Sequence, residues 1–262
     1  MNPYYPNTYG ERTYGERIAG IYDELYADYD PAAIAALNQL AHGVLARPEL
    51  ARPGPALELG IGTGRIAVPL QQTGVEVHGI DASEAMVAKL RLKPGGDGLP
   101  VAMGNFADVA VEGQYSLIYV LFNTFYNLLT QEEQLRCFRN VALHLAPQGV
   151  FAIEAFVPDL TRYTRGQATS VIYLDNDRVQ LDAARLDPVT QQITSQHVML
   201  TEQGIRLYPV KLRYVWPAEM DLMARLAGLQ LRHRWGDWRR GVFSAESSKH
   251  ISIYEHADRS PR

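Results

Sequence analysis

Three alternating glycines in the segment Leu57-Glu58-Leu59-Gly60-Ile61-Gly62-Thr63-Gly64-Arg65 constrain this chain more than any other feature. They follow an apolar run and precede an amphipathic stretch, so the backbone must pass from a buried strand into a helix through a sharp turn. Glycine tolerates the left-handed backbone of such a turn, and its missing Cβ lets a ligand approach the main chain. A plain tight turn would account for one or two of these glycines. Three of them behind the acidic Glu58 point to a loop that holds a nucleotide-like ligand.

The flanking sequence supplies a scaffold for that loop. Apolar runs predict strands at 55–60, 75–80, 99–103, 115–122 and 149–156, alternating with helices at 64–72, 83–92 and 130–146. Thr130 with Glu133 forms a full capping box, whereas Ser83 lacks the closing Glu or Gln because Met86 stands there. This rhythm predicts an α/β fold with a mainly parallel sheet covered on both faces. It then breaks. Residues 168–216 alternate in polarity between Asp-Asn, Asp-Pro and Gln-Gly turn signals, the pattern of an antiparallel meander. Trp216-Pro217 opens a helix that carries Met220, Met223, Leu226 and Ala227 on one face, and Gly228 closes it. Strands at 229–235 and 249–254 follow, and 14–29 and 31–46 read as two upstream helices.

Composition narrows the function classes. With 47% hydrophobic and 21% charged residues the chain is globular, and at 262 residues one large domain with an embellishment is expected. A net charge of -4 gives no reason to expect a nucleic-acid partner. Cys137 is the lone cysteine, so no intramolecular disulfide or thiolate zinc cage can form. The seven histidines show no metal-binding spacing, and no metal is expected. Apolar runs such as Leu117 to Phe122 fall far short of the ~20 residues that span a bilayer. The first residues carry neither a signal core nor a lipidation motif, so no membrane partner and a cytoplasmic location are expected.

Asp81 ends the second strand, where a carboxylate can accept hydrogen bonds from ribose hydroxyls. The nicotinamide dinucleotide fingerprint would need a third glycine at the position of Arg65. The observed E-x-G-x-G-x-G instead resembles the first motif of class I S-adenosylmethionine-dependent methyltransferases. Gly104-Asn105-Phe106 is similar to that family's adenine segment, with Asn105 where many members have Asp, and Phe122 to Asn127 stand where the family places residues beside the reactive methyl. The resemblance covers roughly residues 14 to 256. It implies a Rossmann-like sheet of seven strands, mostly parallel with an antiparallel last strand, plus an inserted antiparallel β lid. The implied organisation is an N-terminal helical lid (1–50), a cofactor-binding core (51–157 and 217–257), an inserted acceptor-lid subdomain (158–216) and a tail (258–262). The segment from Tyr14 to Tyr26, the meander and Gly241-Val242-Phe243-Ser244 also look like small-molecule N-methyltransferases acting on amino sugars and glycine. A related layout occurs in bacterial enzymes that C-methylate indole rings.

What this resemblance implies is transfer of a methyl group from S-adenosylmethionine to a nucleophilic N, O or C atom of a small molecule in bacterial secondary metabolism, leaving S-adenosylhomocysteine. Alternatives are a nicotinamide-dependent oxidoreductase using the same Asp81 and a non-catalytic nucleotide-binding module. The implied cofactor contacts are Tyr14, Glu58, Gly60, Gly62, Gly64, Asp81, Ala82, Met86, Asn105, Phe106 and Leu121. Acceptor contacts fall to Tyr14, Tyr26, Asn123, Tyr126, Arg213 and Trp216, and catalytic roles to Tyr22 and to His197, a general base titrating near ~6.5. Asp81→Ala is expected to leave the fold intact. No heptad or long exposed apolar stripe is evident, and a homodimer stays open.

Other residues read as structural. Seven of the fifteen tyrosines (4, 5, 9, 14, 22, 26 and 29) lie in the first thirty residues, and the spacing of Tyr22, Tyr26 and Tyr29 suits a helix face, with Tyr29 packed on the body. His42 and His144 read as surface or boundary residues and Cys137 as a buried small hydrophobe. Arg232, Arg234, Arg239 and Arg240 read as a solvated rim.

Overall fold

The computed structural model describes residues 9–26, 29–43, 54–108 and 111–257; Tyr4, Tyr5 and the expected tail lie outside them. The described residues begin with α1 (Thr13–Ile18), α2 (Tyr22–Leu25) and α3 (Pro31–Ala41). They continue through β1 (Ala56–Leu59), α4 (Ala67–Gln71), β2 (Val77–Asp81), α5 (Glu84–Arg91), β3 (Val101–Met103), β4 (Tyr115–Val120), α6 (Gln131–His144) and β5 (Leu145–Phe156). Four more strands follow: β6 (Gln167–Leu174), β7 (Arg178–Asp187), β8 (Gln192–Thr201) and β9 (Gly204–Arg213). The last elements are α7 (Pro217–Leu226), β10 (Leu229–Trp235) and β11 (Lys249–His256).

Seven strands form one sheet in the order β10-β11-β5-β4-β1-β2-β3, parallel except for β11, which runs antiparallel to both β5 and β10. Strands β1 and β4 are buried on both faces, as near-continuous apolar runs require. On one face Leu57, Leu59 and Phe151 meet Phe138 and Val141 of α6 and Met220 and Met223 of α7. On the other, Ala56, Leu117 and Tyr119 meet Leu37 and Leu40 of α3, Leu70 of α4 and Leu90 of α5. Each fully enclosed Leu or Phe of this kind contributes about 1.5–3 kcal/mol. The Thr130–Glu133 capping box opens α6 as expected, and Ser83 caps α5 through the N–H of Met86 alone. Among the described residues no helix is long and apolar enough to cross a membrane.

The meander is a separate sheet in the order β6-β7-β8-β9. One face carries Ile193, Ser195 and His197 toward the core. The other carries two cross-strand rows, Val171-Leu181-Val198-Leu207 and Leu174-Val179-Leu200-Ile205, with Val171, Leu174, Ile205 and Leu207 each more than half exposed. This is an exposed apolar stripe that the sequence did not show, because its members come from four strands.

The expected helix 14–29 is broken. Helix α1 stops at Ile18, a turn through Ala19, Gly20 and Ile21 intervenes, Tyr26 caps the short α2, and Tyr29 lies beyond it while still packing on the core. Gly20 lowers the helix propensity there. Gly15 lets α1 approach α5: a Cβ on it would sit 2.5 Å from the Cβ of Ser83. Glu16 then accepts hydrogen bonds from Ser83 Oγ and Ala85 N–H.

Candidate functional site

All three loop glycines have left-handed backbones, with φ of 76° at Gly60, 56° at Gly62 and 73° at Gly64. Their roles differ. A Cβ on Gly60 would stand 2.5 Å from Thr124 Cγ2, whereas one on Gly62 would meet only Met86 Cε at 3.8 Å. A Cβ on Gly64 would strike Leu90 Cδ1 at 2.2 Å, so Gly64 serves the packing of the loop on α5 and does not line the cavity beside it. Across the loop, Asp81 accepts hydrogen bonds from Gly62 N–H at 2.7 Å and Ser83 N–H at 2.8 Å. Burial pushes Asp81 above the usual carboxylate range although these donors oppose the shift. Behind it, Glu58 is 5% exposed, accepts a hydrogen bond from Tyr119 Oη, and is pushed by burial up to about 8.

These groups wall a cavity of about 540 Å³, together with Tyr9, Tyr14, Tyr22, Ala82, Met86, Asn105, Phe106 and Leu121. Asn105 Oδ1 already accepts from Ala107 N–H at 2.9 Å, which fixes the amide against the wall. Helix α2 is tied over the loop because Thr63 Oγ1 and Lys93 Nζ both donate to Asp23.

A second cavity of about 580 Å³ lies against the four-stranded sheet. Tyr26, Asn123, Glu154, Arg162, Tyr163, Asp182, Ser195, His197 and Lys249 line it. The two cavities share Tyr14, Tyr22, Arg65, Phe122, Thr124 and Asn127. At this junction the Arg65 guanidinium lies 3.8 Å from the Phe122 ring centre, 5.6 Å from that of Tyr22 and 5.8 Å from that of Tyr26. Tyr14 is hydrogen-bonded to Tyr26, and burial raises both Tyr14 and Tyr22, so the two phenols stay neutral and keep their protons. Phe122 and Asn123 adopt left-handed backbones, φ 53° and 67°, conformations that cost about 1–3 kcal/mol each for such residues and gather at functional sites. Asn123 Oδ1 accepts from Phe156 N–H at 2.7 Å and holds that turn.

Residues 56–149 match the family described as "Methyltransferase domain". The structure of the CcbJ methyltransferase from Streptomyces caelestis is 40% identical with a TM-score of 0.85, covering 95% of this chain and 100% of that one. This chain belongs to the class I S-adenosylmethionine-dependent methyltransferases. The cypemycin N-terminal methyltransferase of a Streptomyces species is 27% identical over 237 residues, 87% of this chain and 97% of that protein. CalS10, an amino pentose methyltransferase from Micromonospora echinaspora solved with S-adenosylmethionine, has the same fold at 19% identity, TM-score 0.65, covering 90% of this chain and 97% of that one.

The methyltransferase thus takes S-adenosylmethionine as its cofactor and a small molecule as acceptor, and the oxidoreductase and non-catalytic readings fall away. Its donor set fits the cofactor. The cavity wall carries two carboxyl groups, of Glu58 and Asp81, and the apolar surface of Met86 and Phe106, the kinds of group that an amino group, ribose hydroxyls and a base call for.

Three of the expected acceptor residues lie outside both cavities. Tyr126 is fully buried, and its hydroxyl bridges the carbonyls of Phe156 (2.9 Å) and Val215 (3.0 Å). Arg213 is buried in a pair with Glu219 at 2.8 Å and contacts Gln134 and Gln191. Trp216 precedes α7 and is 40% exposed. A position on the lid or after the fourth strand does not specify which face a side chain takes. The arginine rim is likewise structural: Arg234 pairs with Asp221, Arg239 with Asp30 and Arg232 with Glu255, and Arg240 bonds Gln39.

His197 sits opposite Asp182 in register, with Nε2 3.8 Å from Asp182 Oδ1, and its Nδ1 is buried with no hydrogen-bond partner among the described residues. Burial lowers it below the usual imidazole value against the pull of Asp182. Sequence reasoning placed Phe122 in the segment after the fourth strand but gave no role to Arg65, Asp182, Glu154 or Lys249. Arg65 was visible as the residue that excludes the dinucleotide fingerprint. The others become neighbours only through strand register.

Proposed function

We propose that the first cavity holds S-adenosylmethionine and the second a natural-product acceptor, the two meeting at the residues both cavities share. That junction of Tyr14, Tyr22, Arg65, Phe122, Thr124 and Asn127 is the observation that carries this reading. The bound cofactor supplies a methyl already activated on a sulfonium, so the protein's task is alignment and exclusion of water, together able to supply ~7–11 kcal/mol of the barrier. Glu58 would hold the positive amino group beside the main chain of Gly60 and Gly62. Asp81, whose oxygens keep further lone pairs beyond the two backbone donors, would accept the ribose hydroxyls. Ala82, Met86, Asn105, Phe106 and Leu121 would enclose the adenine.

Tyr14 and Tyr22 would orient the acceptor from above, with Tyr26 and Asn123 behind them. An amine nitrogen is the favoured nucleophile because the cypemycin relative is named for methylating an N-terminus. An amine that arrives as ammonium must lose a proton, and neutral His197, held near Asp182, would take it. Calorimetry with S-adenosylhomocysteine tests the cofactor site. Mass spectrometry of amine, phenol and indole panels incubated with deuterated-methyl S-adenosylmethionine tests the acceptor. No heat at saturating ligand would sink the first assignment, and labelling confined to carbon would sink the amine.

The domain limits of the lid and core are read in the same way, with 158–216 as the acceptor subdomain. A cytoplasmic location, where the cofactor is available, fits this enzyme. The apolar rows on the outer lid face support a homodimer through that face. Sedimentation of the parent and of Val171→Glu with Leu207→Glu checks it: a dimer that becomes a monomer is expected, and a monomeric parent removes the proposal.

A further inference from the structure

The wall of the second cavity holds one polar pair that no step above uses. Glu154, on the interior strand β5, is 5% exposed, and its Oε1 accepts a 2.8 Å hydrogen bond from Lys249 Nζ on neighbouring β11. Its Oε2 is buried with no hydrogen-bond partner among the described residues. The backbone carbonyl of Glu154 accepts from Asn123 N–H, which fixes the residue beside the left-handed turn at the junction. A buried carboxylate oxygen without a donor is costly in a native protein and needs a reason.

The chemistry of the pair defines what would satisfy it. A carboxylate and an ammonium side by side are neutral together and present an acceptor next to a donor. A ligand carboxylate would meet the charge of Glu154, and a ligand ammonium that of Lys249. A hydroxyl matches both, donating to Oε2 and accepting from Nζ. We propose that Glu154 and Lys249 are a specificity anchor for a hydroxyl group of the acceptor, on an atom other than the one methylated. The proposal rests on the second cavity being the acceptor site.

Saturation-transfer NMR on the S-adenosylhomocysteine-saturated enzyme tests it with paired probes, aminocyclohexanol against cyclohexylamine and serinol against isopropylamine. The hydroxylated member is expected to bind about tenfold or more tightly to the parent, as a hydrogen bond to a charged group warrants. Glu154→Ala should close that gap and leave the deoxy probes unchanged, while Glu154→Gln should keep part of it. The melting temperature of the ligand-free Glu154→Gln protein should change little: the amide oxygen keeps the hydrogen bond from Lys249 Nζ, whose side chain is 40% exposed and stays solvated, and the carboxylate oxygen without a donor is gone. A clear drop would make the pair a structural one and overturn the anchor. Equal binding of the paired probes, including none for either, overturns it too, as does a hydroxyl preference that survives Glu154→Ala. Failure of S-adenosylhomocysteine to bind the parent would instead count against the cofactor cavity.

Discussion

Tyr119 donates a 3.0 Å hydrogen bond to Glu58 from the next strand, and both side chains are enclosed. Burial raises Glu58 from its ordinary 4.5 to about 8, so the free enzyme holds its proton at neutral pH. Between these two values the folded state binds one proton more than the unfolded chain, and stability falls as pH rises through that window. Denaturant midpoints should drop between the acidic and alkaline ends of it, and Glu58→Gln should flatten the dependence. An amino group bound beside Glu58 favours its ionised form. Binding of S-adenosylhomocysteine should therefore release a proton and tighten toward pH 8, which calorimetry in buffers of different ionisation heat will show.

Asp81→Ala should do more than weaken the cofactor. Its carboxylate satisfies the N–H groups of Gly62 and Ser83, so the expectation of an intact fold needs correcting. Affinity for S-adenosylhomocysteine should fall by about tenfold to a hundredfold, and stability by about 1–3 kcal/mol through the loosened loop. Titration calorimetry and thermal melts on the same preparation separate the two effects.

His197→Ala should cut turnover about a hundredfold or more if the imidazole is the base, with cofactor affinity unchanged because His197 lines the second cavity alone. The rate should climb with pH below the ordinary imidazole value, since burial lowers this histidine. Asp182→Asn removes a charge that favours the protonated ring and should shift the profile further down. Tyr22→Phe should lower turnover by a smaller factor and also touch cofactor affinity, because Tyr22 lines both cavities.

Tyr126→Phe should remove the single hydroxyl donor that the carbonyls of Phe156 and Val215 share and cost about 1–3 kcal/mol, read from denaturant melts. The acceptor KM should rise as the lid loosens, with S-adenosylhomocysteine affinity near that of the parent.

Local rules made the glycine turn, the capped α6 and the alternation of the lid strands legible in the sequence. Residues that meet across strands were not. Glu58 with Tyr119, Asp182 with His197 and Glu154 with Lys249 are each set by register, which depends on bulges and turn lengths that no single segment encodes. The same gap explains the misassigned residues. Tyr126 and Arg213 follow the expected elements, yet one turns into the core and the other pairs with Glu219. Gly64 carries the motif but answers to Leu90, and the break at Gly20 lost to the strong tyrosine spacing around it.

The hydroxyl of Tyr126 holds the point where the chain leaves the core, Phe156, against the point where it returns, Val215. The stretch between them leaves and rejoins the core at one clasp, while its Ala184, Ile193 and Tyr214 pack into that core. Among the described residues the first cavity is lined wholly from before the excursion, and six of those residues also line the second. The second cavity takes only part of its wall from the excursion, because Tyr26, Asn123, Glu154 and Lys249 lie outside it. Change within the excursion therefore alters one wall of the second cavity and leaves the lining of the first untouched.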